Sequence, residues 1–297
     1  MEATITITFG EVCENHAGMQ QVGRMAHFGF SFKDLEQAQA FFVARGHETT
    51  LIHLNEALPE GIDAEDAYIL LVRNGVGAFC DATDLRMEHA KLSWDTKAKM
   101  RGRVVNKRAR YNVCYAPEAQ EPNYPEGKGR IVAFEDVPLL NSIRAALPKA
   151  LGTKAEGLFA EGNLYYDVTK TYIGFHGDGE RKKVVAFRLG ATMPLYYQWY
   201  QRTKPIGPLF TFQLNHGDLY VMSEKATGYD WKKRIIPTLR HAAGAVKRKK
   251  PKEAPKTREE ELMRMKIVEL KEMLRKKKLK VSGKKAILVQ RIVESEK

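Results

Sequence analysis

The sequence predicts an α+β protein: a double-stranded β-helix (jelly-roll or cupin-like) core, an N-terminal α/β domain or extension, and a small C-terminal helix-loop-helix module. Three observations carry this reading. Beyond Gly129, short β-rich runs recur between Gly, Pro and Asn ("GNLYYDV", "KKVVAFRLG", "MPLYYQWYQ", "LFTFQLNHGD", "LYVMS", "PTLRHAAG"), the pattern of a two-sheet barrel. Residues 1–95 instead mix strand-like "TITITFG" and "AYILLVRNG" with helix-like "KDLEQAQAFFVARG" and "DATDLRMEHAKL". The end of the chain changes composition: residues 247–297 hold 19 of the 49 Lys+Arg and 8 of the 36 Asp+Glu, so most of the formal charge of +13 lies there.

The segments follow in order. Residues 1–95 form the N-terminal part, with no catalytic motif and with His16, His27, His47, His53 and His89 scattered without ligand spacing. Residues 96–246 form the core, with one helix at "VPLLNSIRAAL". At its start, "KAKMRGRVVNKRAR" is basic enough to follow a phosphate backbone or to be a solvated loop; Arg103, Lys107, Arg108 and Arg110 are its candidate contacts. An apolar content of 43% supports a buried core. No run approaches the roughly 18 apolar residues of a membrane span, and the N-terminus lacks a signal-peptide profile. Cys13, Cys80 and Cys114 are too widely spaced for a zinc site and suit a reducing compartment, so a soluble intracellular monomer is expected. No Walker-type phosphate loop occurs.

Residues 247–262 read as a basic linker. In 263–297, Ile267, Leu270 and Leu274 mark one face of a first helix, Ser282 is placed to cap a second, and Ile287, Leu288 and Ile292 give that helix its apolar side. "IVELKEMLRKKKLKVSGKKAILVQRI" resembles a SAP motif over its whole length. The resemblance implies DNA binding, with Lys278, Lys280, Lys284, Lys285 and Arg291 on phosphates.

The central motif is "YIGFHGDGERKK", Tyr172 to Lys183. On an extended segment His176 and Asp178 point to the same side, two of the three ligands of a facial 2-His-1-carboxylate iron site. The surrounding "LFAEGNLYYDVTKTYIGFHGDGERKKVVAFRLG" and "FQLNHGDLYVMS" resemble the AlkB-like 2-oxoglutarate/Fe(II) dioxygenases of the DNA-repair branch. That resemblance implies His176, Asp178 and His241 as iron ligands and Asn163 with Tyr165 or Tyr166 as cosubstrate donors. Arg240, then Arg234 and then Arg248, are the arginines for the far carboxylate of 2-oxoglutarate. His216, in "NHGDLY", is set aside as non-ligating. A competing alignment reads "RIIPTLR" as the family's paired arginines and leaves no distal histidine. Chain also departs from the family in lacking a further strand after His241.

The implied activity is an Fe(II)- and 2-oxoglutarate-dependent dioxygenase that uses O₂ on nucleic acid, foremost oxidative demethylation of alkylated bases in DNA, with RNA as the other substrate class. A base hydroxylase leaving a stable product and a non-catalytic DNA-binding scaffold are the alternatives. The SAP-like module associates the chain with a nuclear or viral setting. Tyr111, Tyr115, Tyr196, Tyr197, Trp199 and Tyr200 are candidate base-stacking or core aromatics.

Overall fold

A computed structural model describes residues 2–246 and 258–296, which fall in two compact units, Met1–Val246 and Lys247–Lys297. The first unit runs β1 (Thr4–Gly10), β2 (Val12–Glu14), β3 (Gln21–Gly23), α1 (Phe32–Val43), β4 (Thr49–His53), β5 (Tyr68–Val72), α2 (Ala82–Ala90), β6 (Lys97–Met100), β7 (Arg103–Asn106), β8 (Tyr111–Ala116), β9 (Ile131–Ala133) and α3 (Pro138–Leu151). It continues through β10 (Phe159–Tyr165), β11 (Tyr172–His176), β12 (Val184–Gly190), β13 (Met193–Gln201), β14 (Lys204–Leu214), β15 (Leu219–Met222) and β16 (Thr238–Gly244).

Local chemistry sets the helices. Ser31 and Asp34 cap α1 reciprocally, the Asp34 carboxylate accepting from the Ser31 amide at 2.6 Å. Leu35, Ala38 and Phe42 then fall on one buried face. Pro138 opens α3, and the Glu88 carboxylate on α2 accepts from the Leu139 and Leu140 amides, supplying the cap that Val137 cannot.

Eight strands form one sheet in the order β4-β5-β15-β12-β1-β10-β8-β9, and four form a second, β11-β16-β13-β14. Alternation gives the large sheet two buried faces. Ile5, Ile7 and Phe9 of β1 and Val185, Phe187 and Leu189 of β12 join a core with α1 and α3. Val184, Ala186, Tyr220 and Met222 face the other way and join a second core with Leu195, Tyr197, Trp199 and Leu239 of the small sheet. The unit is therefore layered: helices, large sheet, small sheet.

The predicted boundary at residue 95 is not a domain boundary. β1 is a central strand, antiparallel to β10 on one side and β12 on the other, and β4 and β5 extend the same sheet. Burying Ile5, Ile7 and Phe9 contributes roughly 5–9 kcal/mol, comparable with the whole stability of a domain. The first ten residues are core, not an extension. The basic run 97–110 also differs from a plain loop, since β6 and β7 pair as a hairpin.

In the second unit α4 (Arg258–Arg264), α5 (Ile267–Lys276) and α6 (Lys285–Ser295) close on a core of Leu262, Leu270, Leu274, Leu288, Val289 and Ile292. The predicted linker 247–262 thus ends inside a helix, because Leu262 is a core residue; its part 247–257 lies outside the described residues, as does Arg248. Ile267 and Ile287 are exposed rather than buried. α6 starts after Lys284, so Ser282 does not cap it.

Candidate metal centre and its cavity

Within the first unit the two sheets enclose a cavity of about 860 Å³. Its wall is set by alternation along three neighbouring strands. Glu161, Asn163 and Tyr165 of β10, Thr6 and Thr8 of β1, and Val184 and Arg188 of β12 all line it. The register places Thr6 opposite both Asn163 and Arg188, so these three side chains stand side by side.

At the other wall, β11 and β16 pair with His176 opposite His241. The backbone turns sharply after His176. Asp178 N donates to Thr227 O at 2.9 Å, and a Cβ on Gly177 would lie 2.1 Å from Gly228 O, so the turn closes only with glycine there. This folds the Asp178 carboxylate back between the two imidazoles. Asp178 Oδ1 is 3.5 Å from Nε2 of His176 and 3.5 Å from Nε2 of His241, and the ligand atoms of the three residues lie within 4.8 Å of one another.

The donor set fits a divalent transition metal. The Nδ1–H of His176 donates to Gly174 O at 2.8 Å, which leaves its Nε2 bare for a ligand role. His241 Nδ1 is buried without a partner. Burial alone would raise the Asp178 carboxyl, but His241 and Arg181 beside it hold it well below the usual range. Burial pushes His241 down despite Asp178, favouring the neutral ring that binds metals. His216 stands apart, accepting from Gly190 N at 3.0 Å.

A polar chain runs from this cluster into the wall. Arg181 lies 3.8 Å from Asp178 and 2.8 Å from Glu161; Glu161 accepts from Asn163 Nδ2 at 3.1 Å; and Asn163 Oδ1 accepts from Arg110 Nε at 2.5 Å and Asn112 Nδ2 at 2.6 Å. Asn163 keeps one amide hydrogen for a ligand.

Several predicted residues fall elsewhere. Tyr166 alternates away from Tyr165, stacks on Tyr111 and donates its hydroxyl to Arg108 O at 2.6 Å, so it does not reach the cavity. Arg240 precedes His241 on β16 and therefore points to the opposite side, where its guanidinium packs between Tyr200 and Trp231. Arg234 is an exposed loop residue. Neither arginine lines the cavity. Lys107 is no phosphate contact: its ammonium hydrogen-bonds Asn15 and Asn112, and burial pulls it down to about 8. Arg110 is turned inward to Asn163, while Arg103 and Arg108 are exposed. Tyr115, Tyr197 and Trp199 are core.

The cationic residue missed by sequence reasoning is Arg188. It is 1% exposed and donates to the Thr6 hydroxyl; its Nε has no partner, and it makes no ion pair among the described residues. A buried guanidinium without a counter-ion is costly unless an anion is supplied. The available signal was a lone arginine at an inward position of "VVAFRLG".

In the second unit Lys278, Lys280 and Lys284 are exposed and Lys285 half-exposed. Arg291 is committed inward, donating to Lys280 O at 2.8 Å and Ser282 O at 2.6 Å, so it braces the connecting loop instead of meeting phosphate.

The comparisons with known proteins agree with this division. Residues 261–297 match the SAP domain family, which points to DNA as a partner. Over 250 residues the chain is 48% identical to "Uncharacterized protein R156" of Acanthamoeba polyphaga mimivirus, covering 83% of this chain and 98% of that protein. The chain belongs to the same family as this viral protein. No helix among the described residues is long and apolar enough to cross a membrane.

Proposed function

We propose that the protein is an Fe(II)- and 2-oxoglutarate-dependent dioxygenase acting on nucleic acid, foremost removing alkyl groups from bases. The observation that carries this reading is the convergence of His176, Asp178 and His241 on one point in the wall of the cavity. The two-sheet arrangement supports the jelly-roll interpretation, with β1 in the large sheet supplying the strand missing after β16.

Iron(II) bound there with 2-oxoglutarate and O₂ would supply hydroxylation of a C–H bond, the cosubstrate leaving as succinate and CO₂. The chain's own residues have distinct tasks. His176, Asp178 and His241 would hold the metal, and all three line the cavity. Arg181 and Glu161 fix the Asp178 carboxylate. Arg188, with Thr6, offers the positive charge for the far carboxylate of the cosubstrate, in place of Arg240 and Arg234; Asn163 and Tyr165 line the intervening wall. Substrate seated in the mouth of the cavity would shield the reacting bond from water. On a methyl group attached to a base nitrogen, hydroxylation gives a hemiaminal that collapses to formaldehyde and the repaired base.

The test is intact mass spectrometry of oligonucleotides carrying 1-methyladenine, 3-methylcytosine or 5-methylcytosine, incubated with Fe(II), 2-oxoglutarate and air. Loss of a methyl from the first two, absent with His176→Ala, is expected. Gain of one oxygen on the third would make it a base hydroxylase. No change, with no succinate formed, would favour the DNA-binding scaffold, with which the SAP domain is equally compatible.

A further inference from the structure

The loop that follows β15 touches both arms of the metal centre. Lys225–Thr227 form a single 3₁₀ turn, and Gly228 leaves it in the left-handed conformation. Thr227 O accepts from the Asp178 amide, and a Cβ on Gly177 would meet both Gly228 O and Trp231 Cβ, the latter at 2.7 Å. On its other side the loop meets β16: a Cβ on Gly228 would lie 2.5 Å from Leu239 O, two residues before His241. The loop is thus wedged between the turn that presents Asp178 and the strand that presents His241.

One ammonium ties these pieces together. Lys225 Nζ is 2.7 Å from Asp230 Oδ2 and 3.2 Å from Pro237 O, so it joins the two ends of the loop to the start of β16 at Thr238. The two side chains are 2% and 1% exposed, and neither lines the cavity. Stability gives little reason for such a pair. Burial strips both charges of water, and Asp230 Oδ1 has no partner among the described residues. Apolar side chains of similar volume would fill the space as stably. They would lack a directional tie among three backbone segments. Metal ligands need such a tie, because their positions must hold to within about 0.5 Å.

We infer that Lys225 and Asp230 are positioning residues of the metal centre, holding the Thr227–Gly228 segment that sets Asp178 and the start of the strand that carries His241. This rests on the reading of His176, Asp178 and His241 as metal ligands.

The test uses the full-length chain. Lys225→Met combined with Asp230→Leu strands no charge, so its melting temperature should equal or exceed that of the parent. Hydrogen exchange without metal should nevertheless show protection of the Asp178 amide falling by at least about tenfold, while the amides of β1, paired on both sides, stay at parent values. Mn(II) affinity should fall about 10- to 100-fold, the usual loss when the residues that orient metal ligands are changed. Asp230→Asn, which keeps the shape and weakens the tie, should move both readouts in the same direction, and it decides the question if the double variant does not fold. Leu147→Ala, in the core on the helix side of the large sheet, should lower the melting temperature yet leave both readouts unchanged. Parent-like exchange at Asp178 or parent-like Mn(II) affinity in a folded pair variant would overturn the inference, as would equal losses in Leu147→Ala. Failure of the parent itself to take up Mn(II) would count against the metal reading instead, and exchange at Asp178 would still report whether the pair holds the turn.

Discussion

Replacing Arg188 by Met should exchange binding for stability. In the free protein its guanidinium is buried, bonded to the Thr6 hydroxyl and without a carboxylate partner among the described residues. Removing an uncompensated buried charge and keeping the volume apolar should stabilise the fold by about 1–4 kcal/mol. The same change deletes the charged donor for the far carboxylate of 2-oxoglutarate. A hydrogen bond to a charged group contributes roughly 1.5–3 kcal/mol, which converts to a loss of roughly 10- to 150-fold in affinity. Calorimetric titration of 2-oxoglutarate into Mn(II)-loaded protein reads the loss. Oxalate, which chelates metal but has no far carboxylate, should bind both proteins equally. An unchanged affinity for 2-oxoglutarate in Arg188→Met, or an equal loss for oxalate, would refute the assignment of Arg188.

Other consequences can be measured directly. Lys225 and Asp230 form a buried pair at 2.7 Å under the loop that meets Gly177, so Lys225→Met should strand the carboxylate and destabilise the protein by about 3–5 kcal/mol in denaturant titration. Burial pulls His89 down to about 4 from its ordinary value. The unfolded chain therefore takes up its proton first, and stability complete above about pH 6.5 should fall as pH drops towards about 4, by up to about 3 kcal/mol. His89→Leu should flatten that part of the stability curve relative to the parent. In the SAP domain, Lys278→Ala with Lys280→Ala should weaken duplex DNA binding and lower the salt slope by nearly 2. Arg291→Ala should instead lower the melting temperature of the module, because its bonds go to the Lys280 and Ser282 carbonyls.

What could be read from the sequence depended on range. His176 and Asp178 were legible as a closely spaced pair, but the extended segment expected to align them ends at His176; the glycine turn at Gly177, held by Thr227 and Gly228, is what brings the carboxylate back to the imidazole. The SAP domain was legible because its two amphipathic helices are local, although their exposed Ile267 and Ile287 could not be told from buried neighbours by spacing alone. Strand "TITITFG" was recognisable, but its place between β10 and β12 was not: that pairing joins Thr4 to Tyr165, and no local signal encodes it. The same non-local register hid Arg188, whose meaning arises only when Thr6 arrives beside it. Arg240 shows the converse error. It sits next to His241 in the chain, and that adjacency on a strand sends it to the other face.

The most direct measurement of the central claim is Mn(II) uptake followed by electron paramagnetic resonance, with and without 2-oxoglutarate. One equivalent should bind to the parent protein, with a spectral change on adding 2-oxoglutarate, and uptake should be lost in His176→Ala, Asp178→Asn and His241→Ala alike. Uptake that survives all three substitutions, or no uptake by the parent, would contradict the claim.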